Sequence, residues 1–314
     1  MAKEMYDVVI VGGGVAGYGA AVYAARFRLK TLIIAKEVGG LIALTHVVEN
    51  YPGYSSLSGL ELANKLKEHA EYFEVNTVED EVTGIKKNKD HFSLKSSSGK
   101  EYGSKTVFLA TGTKRRELNV PGEKEFYGKG VSYCATCDAA FFRDKIIGIV
   151  GGSDSAAKEA LLLSEYGKHV YIIYRGENIR AEPINLESLR KKKNITIINK
   201  TNVVEIKGEK KLTQVIFDKP YNGSKEFKLD GLFIEIGHLP QNELAKQLGV
   251  KLNEGGEILI DSNSRTNVPG VYAMGDVTQT PWKQAITAVA EGVIAAFSAY
   301  EDISKGKVSY HTEA

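Results

Sequence analysis

The chain has 314 residues, 43% of them hydrophobic and 25% charged, a length suited to about two domains and a composition that buries ordinary globular cores. Its formal charge of +2 argues against a nucleic-acid partner, because the basic residues are scattered and the run Arg190-Lys191-Lys192-Lys193 reads as a solvated helix end. No apolar run approaches the roughly 20 residues that span a bilayer, two cysteines cannot frame a disulfide-rich fold, and an early strand stands where a signal peptide would lie, so a cytoplasmic location is expected.

The first predicted strand, Tyr6 to Val11, runs into Gly12-Gly13-Gly14-Val15-Ala16-Gly17, a helix from Val15 to Phe27 and a strand from Thr31 to Ile34, which together make a βαβ unit. An amphipathic helix from Gly59 to Phe73 follows. Short alternating strands from Val75 to Leu109 then close on Ala110-Thr111-Gly112. The βαβ pattern recurs in Lys145 to Val150, the loop Gly151-Gly152-Ser153-Asp154-Ser155-Ala156, a helix from Ser153 to Tyr166 and a strand from Val170 to Tyr174. Further strands from Ile195 to Phe233 end at Ile236-Gly237. The tail returns to first-domain character with strands at Ile258–Ile260 and near Val271, then a helix from Trp282 to Tyr300. This order predicts an α/β protein with two dinucleotide-binding, Rossmann-like domains of three-layer ββα form, the second inserted in the first. The expected parts are residues 1–113, the inserted 114–241, and 242–314.

In the first loop Gly12 makes the tight turn, Gly14 lets the backbone approach a pyrophosphate, and Gly17 lets the helix pack on the strand. Anion stabilisation comes from the free amides at the helix start. Glu37, past the second strand, is a candidate for an adenosine ribose hydroxyl, although Lys36 stands beside it. The second loop, Gly151 to Ser155, places Ser153 at the close-approach position. Arg175 and Arg180 stand where an NAD site would carry an acid, which suits a 2′-phosphate through charge-assisted pairing; the plainer reading is two surface charges.

Cys134 and Cys137, the only cysteines, are one helical turn apart, able to close a short disulfide and to lower a thiolate pKa. A zinc site would need four ligands, and His46, His69, His91, His169, His238 and His311 show no paired spacing, so no metal is expected. A passive disulfide remains an alternative, although so short a loop stabilises little. Asp138 is either a proton donor to a departing thiolate or a helix cap.

Together the two glycine loops, Glu49-Asn50-Tyr51-Pro52-Gly53, Ala110-Thr111-Gly112, Cys134-Ala135-Thr136-Cys137-Asp138, and Gly275-Asp276 followed by Lys283-Gln284-Ala285 resemble low-molecular-weight thioredoxin reductase over essentially the whole chain. The resemblance implies FAD held by the first and last segments, with Gly12, Gly14, Gly17, Asn50, Thr111, Gly112, Gly275, Asp276, Gln284 and Ala285 as contacts. It also implies NADPH, with NADH as a lesser donor, at Gly151, Gly152, Ser153, Asp154, Ser155, Arg175 and Arg180. Cys137 would receive electrons, Cys134 would exchange with the disulfide of thioredoxin or a glutaredoxin-like protein, and Asp138 would handle the proton. A homodimer and a rotation of the inserted domain about hinges near Thr113 and Gln241 are implied as well. The chain departs from the family pattern at Tyr174-Arg175-Gly176, at Leu41 and at Ala139. Two other readings are a ferredoxin-fed or oxygen-using flavin dithiol enzyme, which the retained second loop disfavours, and a non-enzymatic flavin redox sensor.

Overall fold

The computed structural model describes residues 4–306. The chain divides into two compact units, one formed by the residues up to Lys114 with those from Pro240 onward, the other by Arg115–Leu239.

The first unit begins with β1 (Met5–Gly14), α1 (Val15–Arg26), β2 (Thr31–Gly39), α2 (Gly59–Tyr72) and β3 (Asn76–Glu79), followed by β4 (Val82–Lys87), β5 (Phe92–Ser96) and β6 (Glu101–Leu109). Strands β3, β2, β1 and β6 lie side by side in parallel. Val8 to Val11 are all buried, because a central parallel strand is covered on both faces. The two-residue period sorts them. Val8 and Ile10 face α1 and its neighbours, with Tyr18, Ala20 and Ala21, whereas Val9 and Val11 face the meander residues Ile85, Phe92 and Leu94. Helix, sheet and meander thus make three layers. The chain leaves this unit through β7 (Thr113–Arg115).

The second unit repeats the plan. It carries β8 (Val131–Ser132), the short α3 (Ala135–Asp138), β9 (Ile146–Val150), α4 (Asp154–Tyr166), β10 (His169–Tyr174), α5 (Pro183–Lys191), β11 (Ile195–Asn199), β12 (Val203–Gly208), β13 (Leu212–Tyr221), β14 (Ser224–Lys228) and β15 (Gly231–Ile234). Its parallel sheet has the order β11-β10-β9-β15-β8, and β12-β13-β14 form a separate antiparallel sheet. Ile147, Ile149 and Ile172 pack on Ala156, Ala157 and Ala160 of α4, while Val150 and Ile173 pack on Val215 and Phe217. The basic residues Arg190 and Lys191 occupy the last turn of α5, where they complement the exposed carbonyls.

The return runs through β16 (His238–Pro240), which pairs with β7, then α6 (Glu243–Gln247), β17 (Val271–Ala273) and α7 (Ala285–Ser304). Strand β17 takes the half of the β6 edge that β5 leaves, with Val271 opposite Val107. Several boundaries differ from the sequence expectation, and β2 runs to Gly39 rather than Ile34, so Glu37 lies within that strand and not past it. Ile258–Ile260 is not a strand, since Ile258 makes only single bridges to Leu252 and Thr278. The last helix starts at Ala285 rather than Trp282, because Gln284 and Thr287 cap each other's backbone there.

Candidate functional site

The glycines of the first loop divide their work as their surroundings dictate. Gly12 has φ +118, and a Cβ on it would lie 2.2 Å from the Ala110 carbonyl oxygen. A Cβ at Gly17 would lie 2.1 Å from the Gly12 carbonyl oxygen, so that position brings α1 against the loop. Gly14 differs, as its nearest neighbour would be 3.9 Å away. It is the N-cap of α1 and supplies no side-chain cap, which leaves the first-turn amides without one. A pyrophosphate fits that description. Glu37 is exposed near the end of β2, and Lys36 is drawn aside to Glu81 at 3.0 Å.

Distant candidates in this unit meet. The Asn50 amide donates to Gln284 Oε1 at 3.0 Å. The Thr111 hydroxyl donates to the Gln241 carbonyl at 2.6 Å, the Gln241 amide donates back to the Thr111 carbonyl at 2.7 Å, and the Gln241 N–H donates to the Gly112 carbonyl. Gly112, at φ +61, has open space where a Cβ would stand. The turn at Gly275-Asp276 is held by Glu291, a buried acid on α7 that accepts from the Gly275 N–H at 2.6 Å and from the hydroxyls of Thr278 and Thr280. Ala285 opens α7. Sequence reasoning missed the supporting roles of Gln241 and Glu291. An acid in the middle of an Ala-rich helix was the available signal for Glu291.

In the second unit Gly151 has φ +156, and a Cβ there would lie 2.2 Å from the Glu235 carbonyl oxygen. The Tyr174 ring covers both Gly152 and Gly176, lying 2.2 and 2.6 Å from where their Cβ atoms would be. Ser153 and Ser155 are exposed, and Ser153 stands as N-cap of α4 without a side-chain cap. Asp154 instead holds the chain in place, accepting from the Glu182 N–H and the Asn185 amide at 2.8 Å each and pairing with Lys158 at 2.9 Å. The Arg180 N–H donates to the Gly152 carbonyl at 2.7 Å, so this arginine is tethered beside the loop. Both Arg175 and Arg180 are exposed.

Cys134 and Cys137 form a disulfide with Cα atoms 5.3 Å apart. Ser132 and α3 shape it: the Cys134 N–H donates to Ser132 Oγ at 3.0 Å, and the Cys137 N–H donates to Cys134 Sγ at 3.2 Å. Cys134 is only 8% exposed whereas Cys137 is open. Asp138 is half-buried and its side chain makes no cap bond, so the capping role considered for it is not used. Behind α3 lie Glu159 on α4, half-buried with its Oε2 fully covered, and the buried Glu235 just after β15, two acids that the sequence did not single out. Burial, then the charge of Glu235, raises the Glu159 carboxyl; burial raises Glu235; and Arg115 opposes both.

A sheet unit with an open glycine cradle, and a second with its own loop and a closed cysteine pair, define a disulfide oxidoreductase. The model of the pyridine nucleotide-disulphide oxidoreductase family matches residues 6–292, and the chain belongs to that family. Among its relatives is the thioredoxin reductase of Bacillus subtilis, 39% identical over 94% of both chains. The solved thioredoxin reductase of Lactococcus lactis, in its FR conformation, has a TM-score of 0.91 at 40% identity and covers 96% of this chain and 99% of its own. That of T. acidophilum has a TM-score of 0.90 at 42% identity with the same coverage. Within the family the chain is of the low-molecular-weight thioredoxin reductase type.

Proposed function

We propose that the chain is an NADPH-dependent, FAD-containing thioredoxin reductase acting on thioredoxin or a glutaredoxin-like protein. The closed Cys134–Cys137 disulfide in the same unit as the second glycine loop carries this reading. Gly14, Gly112 and the uncapped amides of α1 would offer FAD a cradle, with Gly12 and Gly17 shaping it, Asn50 and Gln284 already bonded to each other, Glu37 assigned to the ribose, and Gly275, Asp276 and Ala285 assigned to complete it. Bound FAD would supply the two-electron relay between nicotinamide and disulfide. Ser153, Ser155, Arg175 and Arg180 would take NADPH, the arginines by pairing with its 2′-phosphate.

Cys137, the open sulfur, is assigned to receiving electrons, and Cys134 to attacking the partner disulfide. Cys134 is covered as the structure stands, so exchange requires it to be uncovered; rotation of the inserted unit about hinges near Thr113 and Gln241 belongs to the same proposal. Asp138 would return a proton to the leaving sulfur. Phe141, 79% exposed three residues past Asp138, gives a protein partner an apolar foothold. A cytoplasmic homodimer completes the reading, with the size of the purified protein in solution as its check.

One observation favours a second electron donor: Tyr174 lies over Gly152, where a dinucleotide would approach. Oxidation of NADPH, NADH and reduced ferredoxin is therefore compared in the presence of oxidised thioredoxin. Faster turnover with NADPH, abolished by Cys137→Ser, is expected. Equal or faster turnover with another donor would overturn the NADPH assignment.

A further inference from the structure

Glu159 lies on α4, Glu235 directly follows β15 and Arg115 ends β7, and all belong to the second unit. Glu235 is 6% exposed. Glu159 Oε2 and Arg115 Nε are buried without a hydrogen-bond partner. The two carboxyls lie within hydrogen-bonding reach of each other, and the Ala135 backbone amide faces Glu159. Two carboxylates have acceptors only, whereas a retained proton supplies the donor such a pair lacks. Ala135 is itself fully buried and directly follows Cys134, so the pair stands one peptide link behind the covered sulfur.

We propose that Glu159 and Glu235 act through the Ala135 amide as positioning residues that set how readily the Cys134–Cys137 disulfide takes electrons. Breaking the S–S bond puts two electrons on two sulfurs, which then take up two protons or remain anionic. The carboxyl pair supplies neither electrons nor protons to the sulfurs. Its charge sets the cost of leaving them as thiolates, since a nearby negative charge disfavours the anion. Burial and Glu235 push Glu159 up to about 8. Below that point the pair keeps its proton; above it an extra negative charge stands behind Cys134. Asp138 on α3, His169, Tyr171 and Tyr174 on β10, and Glu187, Arg190 and Lys191 on α5 are ionisable groups on elements packed against α4, which itself carries Glu165 and Tyr166. Lys158 is engaged with Asp154.

The inference rests on the redox role of the dithiol proposed above, but its test needs neither NADPH nor thioredoxin. The whole protein is equilibrated with dithiothreitol buffers from pH 6.5 to 9, quenched with acid, and its Cys134 and Cys137 thiols are counted after alkylation. Glu159→Gln, a neutral isostere, is expected to match wild type at pH 6.5. At pH 9 it should favour the dithiol by about tenfold, equal to about 30 mV for a two-electron couple. Superimposable curves, or an offset equal at every pH, would overturn the proposal. Should Glu159→Gln fail to fold, Glu235→Gln must show the same divergence toward alkaline pH, and its absence there is equally decisive. Loss of NADPH turnover with this divergence intact would fault the electron-donor reading alone.

Discussion

At the scale of single residues, Glu159 makes stability depend on pH with a definite sign. Its folded value, about 8, lies above the ordinary 4.5, so between those limits the folded protein binds more protons than the unfolded chain. The stabilisation is full below the ordinary value and is lost as pH rises through about 8. Urea midpoints measured at pH 5 and pH 9 should therefore fall more in wild type than in Glu159→Gln; parallel falls would contradict this. Arg175 yields a second expectation. A charge-assisted bond to the 2′-phosphate is worth about 1.5 to 3 kcal/mol, so Arg175→Ala should raise KM for NADPH about tenfold or more and barely change it for NADH. Equal losses with both would mark Arg175 as a surface charge. Arg175 and Arg180 were singled out in the sequence by their place after a predicted strand, and the structure leaves both exposed. The Glu159–Glu235 pair was not, since its two members are distant in the chain and are brought together by the core that α4 shares with Phe233 of β15. Gly176, where the chain departs from the family pattern, has a local reason: a side chain there would strike the Tyr174 ring at 2.6 Å.

At the scale of elements, the first loop separates a binding glycine from a packing glycine. Gly17→Ala forces a methyl to within 2.1 Å of the Gly12 carbonyl oxygen, and such overpacking costs about 1 to 3 kcal/mol. Gly14→Ala meets nothing closer than 3.9 Å. Thermal melts of the FAD-free proteins should thus show a loss for Gly17→Ala and little change for Gly14→Ala, while both bind FAD more weakly. Equal melting losses would show that Gly14 is held by packing as well. The strands and helices flanking both loops followed from apolar periodicity, and the structure carries them. Local capping is what the periodicity could not resolve: Gln284 and Thr287 delay the last helix to Ala285, and Ile258 buries its side chain while making only isolated bridges. Glu291 belongs at this scale too, as a side chain on α7 that fixes the turn after β17.

For the molecule as a whole, the repeated strand, glycine loop and helix made two parallel sheets legible, because each repeat needs its own sheet to bury its helix. Exposure of the sulfurs was not legible, since it depends on how Ser132, Ala135 and the surrounding chain cover Cys134. In the reduced protein, brief iodoacetamide treatment should therefore label Cys137 before Cys134, and the reverse order would show that Cys134 is already uncovered. The central claim is that reducing equivalents pass from NADPH to the Cys134–Cys137 disulfide and on to a protein partner. Counting alkylatable thiols on the denatured protein after anaerobic treatment with NADPH tests it most directly. The chain contains two cysteines, both in the disulfide, so the count should rise from none to two and return to none when oxidised thioredoxin is added. A count that stays at zero with NADPH, or that rises and is not discharged by thioredoxin, would contradict the account.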